Sequence, residues 1–377
     1  MNFELTEEQQ LIGQSARDFA KEFLEPIAIE VDHTGNFPKQ TVQGLADHDF
    51  LGLLLPSDVG GAEAGFVSYV EVIEQLSRVL PAVASIMNNH VIAAYAIEKF
   101  GNAAQKKEYL PAMAKGETLG ALAIYEDGPT PGVGDNALVA TKQADGYVLN
   151  GKKTYVRNAG QAGVYVVFAT TDATLGAKAL TAFLVKAGTA GVAIGPRVET
   201  MGLKGCPVAD ITFANVVVAE SALLGEVNQG SAIASQALSV FSVAEAAQTV
   251  GIGQAAVEHA AAYAKGRVQF GKPISTLQAI QTLLGEVATD CHLSRLGVRN
   301  AAWLIEEGKP FETEAAMIKS FLVRLGSKML LDTCQVEGGF GYSEFMPLPR
   351  LFRDIAGTNL LDAPADFPDK VIAASLL

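Results

Sequence analysis

The sequence predicts a mainly α-helical protein with a central β domain. Apolar residues recur at helical spacing in the first third of the chain, short β-rich runs follow, and the helical spacing returns from Gln229 onward. Apolar positions three or four residues apart mark one helix face, whereas short apolar runs between Gly, Pro or Asp are typical of strands. We therefore expect an N-terminal helical domain at 1–117, a middle β domain at 118–222 and a C-terminal helical bundle at 223–377.

The first helix is expected to begin near Thr6. Thr6 and Gln9 have the spacing of a capping box, in which each side chain bonds the backbone N–H of the other residue. Two further helical patterns run over 67–79 and 82–100, so the whole first domain is predicted to be helical. Apolar residues at helical spacing in the first helix are Leu11, Ile12, Ala16, Phe19 and Phe23.

The middle domain is expected to consist of short strands. Asn150-Gly151 lies between two apolar runs, and this pair tolerates positive φ at both positions of a turn, so it predicts a β-hairpin. Further β-rich runs, bounded by Gly, Pro or Asp, cover 163–170, 179–185, 192–196 and 211–218.

The last domain is expected to be a bundle of long helices at 231–264, 275–307 and 312–335. Their broad apolar faces must pack against each other or against another chain. Gly251 and Gly253 lie inside the first of these helices, where the missing side chain permits close helix packing. One such apolar face consists of Leu277, Ile280, Leu283, Leu284 and Val287.

Composition excludes several classes of function. The chain has 377 residues, of which 49% are hydrophobic, so it can bury a large core. Its net charge of -13 argues against a nucleic-acid partner and an anionic membrane surface. We find no apolar stretch of transmembrane length and no signal-peptide pattern at the N-terminus. Because Cys206, Cys291 and Cys334 lie far apart, we expect free thiols, a reducing cytoplasm and no zinc site.

Ordered motifs along nearly the whole chain resemble those of the acyl-CoA dehydrogenase family. They are Phe100-Gly101 with 105–111, 147–153, Met201-Gly202-Leu203, 223–226, 267–274, 277–281, 335–342 and Arg353-Asp354. The resemblance implies an N-terminal helical domain, a middle β-barrel and a C-terminal four-helix bundle. It also implies FAD as cofactor, an acyl-CoA substrate, a tetramer, and electron transfer flavoprotein as electron acceptor.

The segment from Arg267 to Gly271 resembles the family's grip for the diphosphate of FAD. Arg267 offers five donors in a fixed fork, which suits phosphate oxygens. Gln269 adds a polar contact and Phe270 an apolar face for a ring. Taken without the family pattern, Arg267 would instead be read as a salt-bridged surface residue.

A second motif resembles the other half of this grip. Gln335, Gly338 and Gly339 follow a predicted helix, where bare backbone N–H groups can approach an anion. The resemblance adds Ile274 and Gln278 to the cofactor contacts. A helix C-cap is the alternative interpretation of the glycines. In the family, both motifs contact the FAD that is bound mainly to the neighbouring subunit.

The half of the site that each subunit supplies to itself departs from the family pattern. The family has Thr-Glu where this chain has Tyr125-Glu126, and the family threonine hydrogen-bonds the flavin. Pro131 replaces a serine that helps to position the CoA ester, and proline offers neither a side-chain donor nor an N–H. On the first long C-terminal helix, Ser242 replaces an arginine that faces the CoA phosphate.

Further departures lie next to the expected flavin. Tyr155 and Arg157 replace the tryptophan and the threonine of the family's Trp-Ile-Thr-Asn motif. Arg157 could help to bind an anion, fill the pocket of the isoalloxazine ring, or lie on the surface of a strand. Asp362 stands where the family has its catalytic glutamate and is shorter by one C–C bond, about 1.5 Å. Pro364 stiffens the same segment, which could also be a solvated loop.

These substitutions lead to one main hypothesis. Because the changes concentrate in the subunit's own half-site, we expect this chain to lend FAD contacts to a related, catalytic partner in an α2β2 heterotetramer. Bacterial enzymes built in this way act on bulky acyl groups, notably steroid side-chain CoA thioesters. Two alternatives remain. One is an active homotetramer or related flavoprotein oxidase with Asp362 as base, and the other is a non-catalytic acyl-CoA-binding or scaffold protein.

The histidines are expected to be structural. His90 lies where the family lines its acyl pocket and is interpreted as a hydrogen-bonding residue on a helix face. No partner spacing is evident for the remaining histidines, which we expect at the surface: His33, His48, His259 and His292.

Overall fold

The N-terminal part of the computed structural model is helical, as predicted; the structure describes residues 4–127, 137–360 and 367–377. At the start of the first helix, Thr6 Oγ1 accepts from the Gln9 N–H at 3.2 Å and Gln9 Oε1 accepts from the Thr6 N–H at 3.0 Å, which confirms the capping box. The helices are α1 (Glu7–Phe19), α2 (Ala28–Thr34), α3 (Lys39–Asp47), α4 (Gly65–Ser77), α5 (Pro81–Phe100) and α6 (Ala103–Ala114).

A mixed sheet follows the helices. Its strands pair in the order β6, β7, β3, β2, β4, β5, β8, and β1 joins in parallel beside β4. The strands are β1 (Leu119–Ala123), β2 (Val139–Gln143), β3 (Gly146–Arg157), β4 (Ala162–Thr170), β5 (Leu180–Lys186), β6 (Val192–Arg197), β7 (Val208–Ala219) and β8 (Leu223–Leu224).

The hairpin predicted at Asn150-Gly151 is wrong. These residues lie inside the continuous strand β3, where the pairing with β7 shifts in register between Leu149 and Gly151. The Asn150 side chain accepts a hydrogen bond of 2.8 Å from the backbone N–H of Asn215 on β7. The long partner strand therefore keeps the chain extended, and the tight turn lies earlier, between β2 and β3, where Gln143 pairs with Gly146.

The central strand β4 carries the contact between the sheet and the helices. Its side chains are buried on both faces, as is typical of a strand that is covered on both sides. On one face of β4, Val164, Val166 and Phe168 pack with residues of α5 and α6. On its other face, Tyr165 and Val167 belong to the apolar cluster that the strands of the β domain form.

The C-terminal part is a helical bundle built around one long helix, α7, which packs against α4, α5, α8 and α9. At Gly251, an added Cβ would lie 2.3 Å from the carbonyl oxygen of Glu74, so glycine is what lets α4 approach this closely. The elements are α7 (Gly230–Gly266), β9 (Val268–Gln269), β10 (Lys272–Pro273), α8 (Gln278–Glu306), α9 (Glu312–Glu337), α10 (Leu348–Leu360) and α11 (Phe367–Leu376).

The order of helices, sheet and helices confirms the predicted fold class. Within the described ranges, no helix is long and apolar enough to cross a membrane. Cys206, Cys291 and Cys334 are free thiols, of which Cys206 and Cys291 are buried. The exact domain boundaries stay a prediction.

Candidate functional site

An open cleft lies where the end of α7, the β9–β10 hairpin and the end of α9 meet. Its cavity volume is about 580 Å³, and it joins the two motifs in which the sequence predicts cofactor contacts. The lining residues are Tyr263, Arg267, Gln269, Ile274, Gln335, Val336, Glu337, Gly338, Gly339, Phe340, Ser343 and Phe345.

The hairpin fixes the backbone of one wall of this cleft. The Arg267 N–H donates to the Tyr263 carbonyl oxygen at 2.8 Å, which ends α7, and the Ile274 N–H donates to the Arg267 carbonyl oxygen at 2.8 Å. Phe270 and Gly271 form the tip with φ values of 53° and 77°, a left-handed conformation that glycine adopts without strain. The backbone on both sides of the Arg267 side chain is thus held in place.

The opposite wall is formed by glycines at the end of α9. Gly338 has φ 60°, which turns the chain out of the helix. An added Cβ at Gly338 or Gly339 would meet nothing within 4 Å, so both lie open to the cleft. Bare backbone with no side chain in front of it is what an anion needs for close approach to N–H groups.

Most of the predicted cofactor contacts lie together, but two do not. Phe270 is 89% exposed at the hairpin tip, and Gln278 is exposed at the first turn of α8; neither lines the cleft. Arg267 is exposed as well, and it forms no salt bridge with any residue in the described ranges, which disfavours its interpretation as a salt-bridged surface residue.

One pair of residues at the wall of the cleft, His259 and Glu337, was missed by sequence reasoning. His259 Nδ1 lies 2.6 Å from Oε1 of Glu337, and the Glu337 side chain is fully buried. The prediction that His259 is a surface residue without a partner is therefore wrong. The two residues are 78 positions apart, and no local spacing connects them.

A second, much smaller cavity lies between the sheet and the helices, beside the predicted flavin position. Its volume is about 20 Å³, which is enough for about one water molecule. The lining residues are Asn89, Leu122, Ile124, Tyr125, Thr154, Tyr155, Arg157, Leu238 and Phe241.

Arg157 forms part of the wall of this small cavity. Its side chain is only 3% exposed, so the interpretation as a surface residue is wrong. The guanidinium donates to Ser85 Oγ at 3.4 Å and to Glu245 Oε1 at 3.3 Å, and it lies 5.7 Å from the centroid of the Phe241 ring. The other oxygen of Glu245 accepts from the Lys319 ammonium at 2.6 Å. Arg157 is thus fixed from the helical side by a buried network of charges.

Of the other substituted residues, Tyr125 and Tyr155 line the same cavity as Arg157, whereas Ser242 does not. Tyr125 is half-buried, and its carbonyl oxygen accepts from the Thr154 N–H at 2.9 Å. Tyr155 is 50% exposed with φ 51°. The Ser242 hydroxyl donates to the Leu238 carbonyl oxygen of its own helix at 2.8 Å, so this donor is already engaged within α7.

A buried ion pair supports the strand that carries Arg157. The Lys153 ammonium donates to Glu126 Oε1 at 2.6 Å and to the Ile124 carbonyl oxygen at 2.9 Å. Burial lowers the pKa of Lys153 to about 8, against the opposite effect of Glu126. The pair joins β3 to the segment that follows β1.

Three of the predicted positions, Pro131, Asp362 and Pro364, lie outside the described residues. His90 is fully buried on α5, and its Nδ1 accepts from the Gly120 N–H at 3.1 Å, which is a structural role. Burial lowers the pKa of His90 to about 4.

The resemblance implies FAD as cofactor. The described residues fit FAD in the open cleft at Arg267 but not in the small cavity at Arg157. In the open cleft, Arg267 and the uncovered backbone of Gly338 and Gly339 suit the oxygens of a diphosphate. At the small cavity, Arg157 and Tyr125 stand where the family has smaller residues, and the part of the cavity that the structure describes has room for about one water molecule.

Comparisons with known proteins agree with this architecture. Residues 6–117, 126–216 and 228–376 match the acyl-CoA dehydrogenase N-terminal, middle and C-terminal domains. A 3-(aryl)acrylate reductase of Clostridium sporogenes is 38% identical over 99% of both chains.

Solved structures give the same result. The butyryl-CoA dehydrogenase of Megasphaera elsdenii superposes with a TM-score of 0.95 at 33% identity, over 100% of both chains. A chain in the structure of the electron transferring flavoprotein of Acidaminococcus fermentans superposes with a TM-score of 0.97 at 32% identity, again over 100% of both chains. This chain belongs to the acyl-CoA dehydrogenase family, whose members are FAD-binding oxidoreductases acting on CH–CH bonds.

Proposed function

We propose that this chain is a subunit of an FAD-dependent acyl-CoA dehydrogenase and that it supplies FAD contacts to a related partner subunit with a complete flavin site. The observation that carries this proposal is the difference between the cleft at Arg267 and the cavity at Arg157. The cleft at Arg267 is open, at about 580 Å³, whereas the cavity at Arg157 is about 20 Å³. A chain with this pair of features is suited to hold part of another subunit's cofactor.

The network around Arg157 supports this division of roles. A buried arginine that bonds Ser85 and Glu245, with Lys319 on the same carboxylate, is held by several partners at once. A buried charge is costly to move away from its partners. The small cavity is therefore a stable feature of this subunit, and a flavin ring is expected to bind in the partner.

The exposed apolar surface of the bundle supports an assembly. Several large apolar side chains on α8 and α9 are exposed in the single chain, as is expected where neighbouring subunits cover them. We infer that this face packs against neighbouring subunits in an α2β2 heterotetramer. The exposed fractions are 57% for Leu293, 46% for Met317, 41% for Phe321 and 57% for Leu331.

The reaction class follows from the family, and the substrate is part of the proposal. When bound, FAD exchanges a hydride with the β-carbon of an acyl-CoA thioester while a base handles the α-proton. In this chain, Arg267 would orient the diphosphate, and the backbone at Gly338 and Gly339 would approach its oxygens. We infer that a bulky or steroid acyl group would bind in the partner, because the described part of the cavity at Arg157 has room for about one water molecule only.

The electron carrier is proposed from a structural neighbour. One of the chains most similar in fold comes from the structure of an electron transferring flavoprotein. We infer that the assembled enzyme exchanges electrons with a flavoprotein of this class. The similarity to a 3-(aryl)acrylate reductase leaves the direction of the reaction to experiment.

The proposal is tested by purifying the chain alone and together with a related subunit that carries a complete flavin site. We expect little flavin in the chain alone and full loading in the complex, with Arg267→Met lowering that loading. Lys265→Met is the matched control, because Lys265 is an exposed cation two residues before Arg267 that does not line the cleft. A fully flavin-loaded homotetramer of this chain alone would contradict the proposal and favour an active enzyme with Asp362 as base.

A further inference from the structure

A buried carboxylate in the wall of the open cleft has one oxygen that is not satisfied. Glu337 lines the cleft, and its side chain is fully buried. Oε1 is paired with His259 at 2.6 Å, whereas Oε2 has no hydrogen-bond partner in the part of the chain that the structure describes. Buried carboxylate oxygens are normally hydrogen-bonded, because leaving one unpaired is costly.

The contact with His259 accounts for one oxygen of Glu337 but not for the other. The preceding residue, Val336, packs into an apolar cluster with Ala260, Ala264 and Ile274. An apolar residue at position 337 would avoid the cost of burying a charge there. His259 offsets only part of that cost, since it reaches one oxygen and is itself 35% exposed. The second oxygen is therefore available to a ligand in the cleft.

The rest of the cleft indicates what kind of ligand this is. Arg267 and the glycine backbone suit a diphosphate. The rings of Tyr263 and Phe340 also line the cleft, with their centroids 6.2 Å apart at an angle of 49°, and they offer apolar faces to a flat base. Glu337 adds an acceptor for N–H or O–H groups. Anion contacts, aromatic faces and an acceptor together match a nucleoside diphosphate.

We propose that Glu337 accepts a hydrogen bond from the adenosine half of the dinucleotide whose diphosphate is gripped by Arg267. The donor is the adenine amino group or a ribose hydroxyl. Because Oε2 is shielded from solvent, a rotation of the carboxylate toward the cleft accompanies nucleotide binding, while His259 holds the other oxygen. Glu337 thereby gives this half-site selectivity for an adenosine nucleotide. The inference rests on the proposed role of the cleft as an FAD grip.

The test is a calorimetric titration of the full chain with ADP. We expect Glu337→Leu to weaken ADP binding about tenfold, as the loss of one hydrogen bond to a charged group implies. The melting temperature should stay the same or rise, because a buried, partly unsatisfied carboxylate is removed. Glu337→Gln keeps an acceptor oxygen and should bind ADP within about threefold of wild type. If Glu337 had a purely structural role, Glu337→Leu would lower the melting temperature and leave the ADP affinity unchanged.

Two further arms separate the possible outcomes. Inosine diphosphate lacks the adenine amino group, and 2′-deoxy-ADP lacks one ribose hydroxyl. An analogue that lacks the donor to Glu337 should bind the wild type and Glu337→Leu equally well. That analogue therefore identifies the donor. Wild-type affinity for ADP in Glu337→Leu, with weaker binding in Arg267→Met, overturns this inference and leaves the FAD grip standing. If Arg267→Met also binds normally, or the wild type binds no ADP at millimolar concentration, the FAD grip fails as well.

Discussion

The backbone N–H of Leu203 donates a hydrogen bond of 2.6 Å to Oδ1 of Asp354, a residue 151 positions away. In the same contact, the Arg353 guanidinium donates to the Met201 carbonyl oxygen at 3.1 Å. Gly202 approaches so closely that an added Cβ would lie 2.2 Å from the carbonyl oxygen of Arg353. The two motifs that resemble the family markers are therefore one contact between α10 and the segment after β6.

This contact predicts a specific pH dependence of stability. Burial raises the pKa of the Asp354 carboxyl to about 6 from an ordinary value of 3.8. The folded protein then favours the protonated form, so the contribution of Asp354 is complete below about pH 4 and is lost as the pH rises through 6. From well below pH 4 to above about pH 7, Asp354→Asn should gain roughly 3 kcal/mol of unfolding free energy relative to wild type.

Urea unfolding of both proteins at several pH values measures this difference. The stability of the variant relative to wild type should increase with pH and then level off above about pH 7. Arg350, whose Nη1 lies 3.8 Å from Asp354, favours the ionised form and reduces the effect. Parallel curves for the two proteins would show that Asp354 does not titrate in this range.

A matched pair of glycine substitutions tests the close packing of α4 on α7. An added Cβ at Gly251 would lie 2.3 Å from the Glu74 carbonyl oxygen, whereas one at Gly285 on α8 would meet nothing within 4 Å. Gly251→Ala should lower the free energy of unfolding by about 1–3 kcal/mol, because the two helices must separate. Gly285→Ala should raise it by about 0.5–1 kcal/mol through helix propensity. Equal effects in chemical denaturation would contradict this view of the helix contact.

The buried pair of Lys153 and Glu126 should be sensitive to the loss of one partner. Lys153→Met leaves the Glu126 carboxylate buried without its ammonium and should cost about 3–5 kcal/mol of unfolding free energy. The double variant Lys153→Met with Glu126→Gln should be more stable than the single variant, because no isolated charge remains. Thermal and urea unfolding of the wild type, the single variant and the double variant measures these differences. If the double variant is no more stable than Lys153→Met, the isolated charge is not the cause of the loss.

The sequence was sufficient for those features that depend on local spacing. The capping box at Thr6 and the long helices of the bundle follow from residues within a few positions of one another. The turn predicted at Asn150-Gly151 failed because β7 pairs across it and overrides the local preference. A hairpin signal cannot report a distant strand that keeps the chain extended.

The residues of the candidate site also fall into those that local motifs predict and those that depend on distant parts of the chain. Arg267 and Gln335 lie in motifs that resemble the family, and the structure places both in one cleft. The pair of His259 and Glu337 spans 78 positions, and neither residue belongs to a pattern that predicts the other. Arg157 left three interpretations open, because its environment depends on Glu245, a residue 88 positions later in the chain.

The closure of the small cavity by Arg157 and Tyr125 can be tested by enlarging it. The double variant Arg157→Thr with Tyr125→Thr removes the two large side chains and introduces the residue types that the family has there. Glu245 keeps its contact of 2.6 Å with Lys319, so we expect a modest loss of stability, about 1–3 kcal/mol. The chain purified alone should then retain more flavin than wild type, as measured by its visible absorbance after gel filtration.

Arg299→Thr is the matched control for this experiment. It removes a partly exposed arginine of α8 that is paired with Glu71 of α4 at 2.7 Å and does not line the small cavity. If general loosening of the fold admitted flavin, both variants would gain it. If only the double variant gains flavin, Arg157 and Tyr125 are what exclude the ring. A folded double variant that gains none would show that the substitutions at these two positions do not close the site.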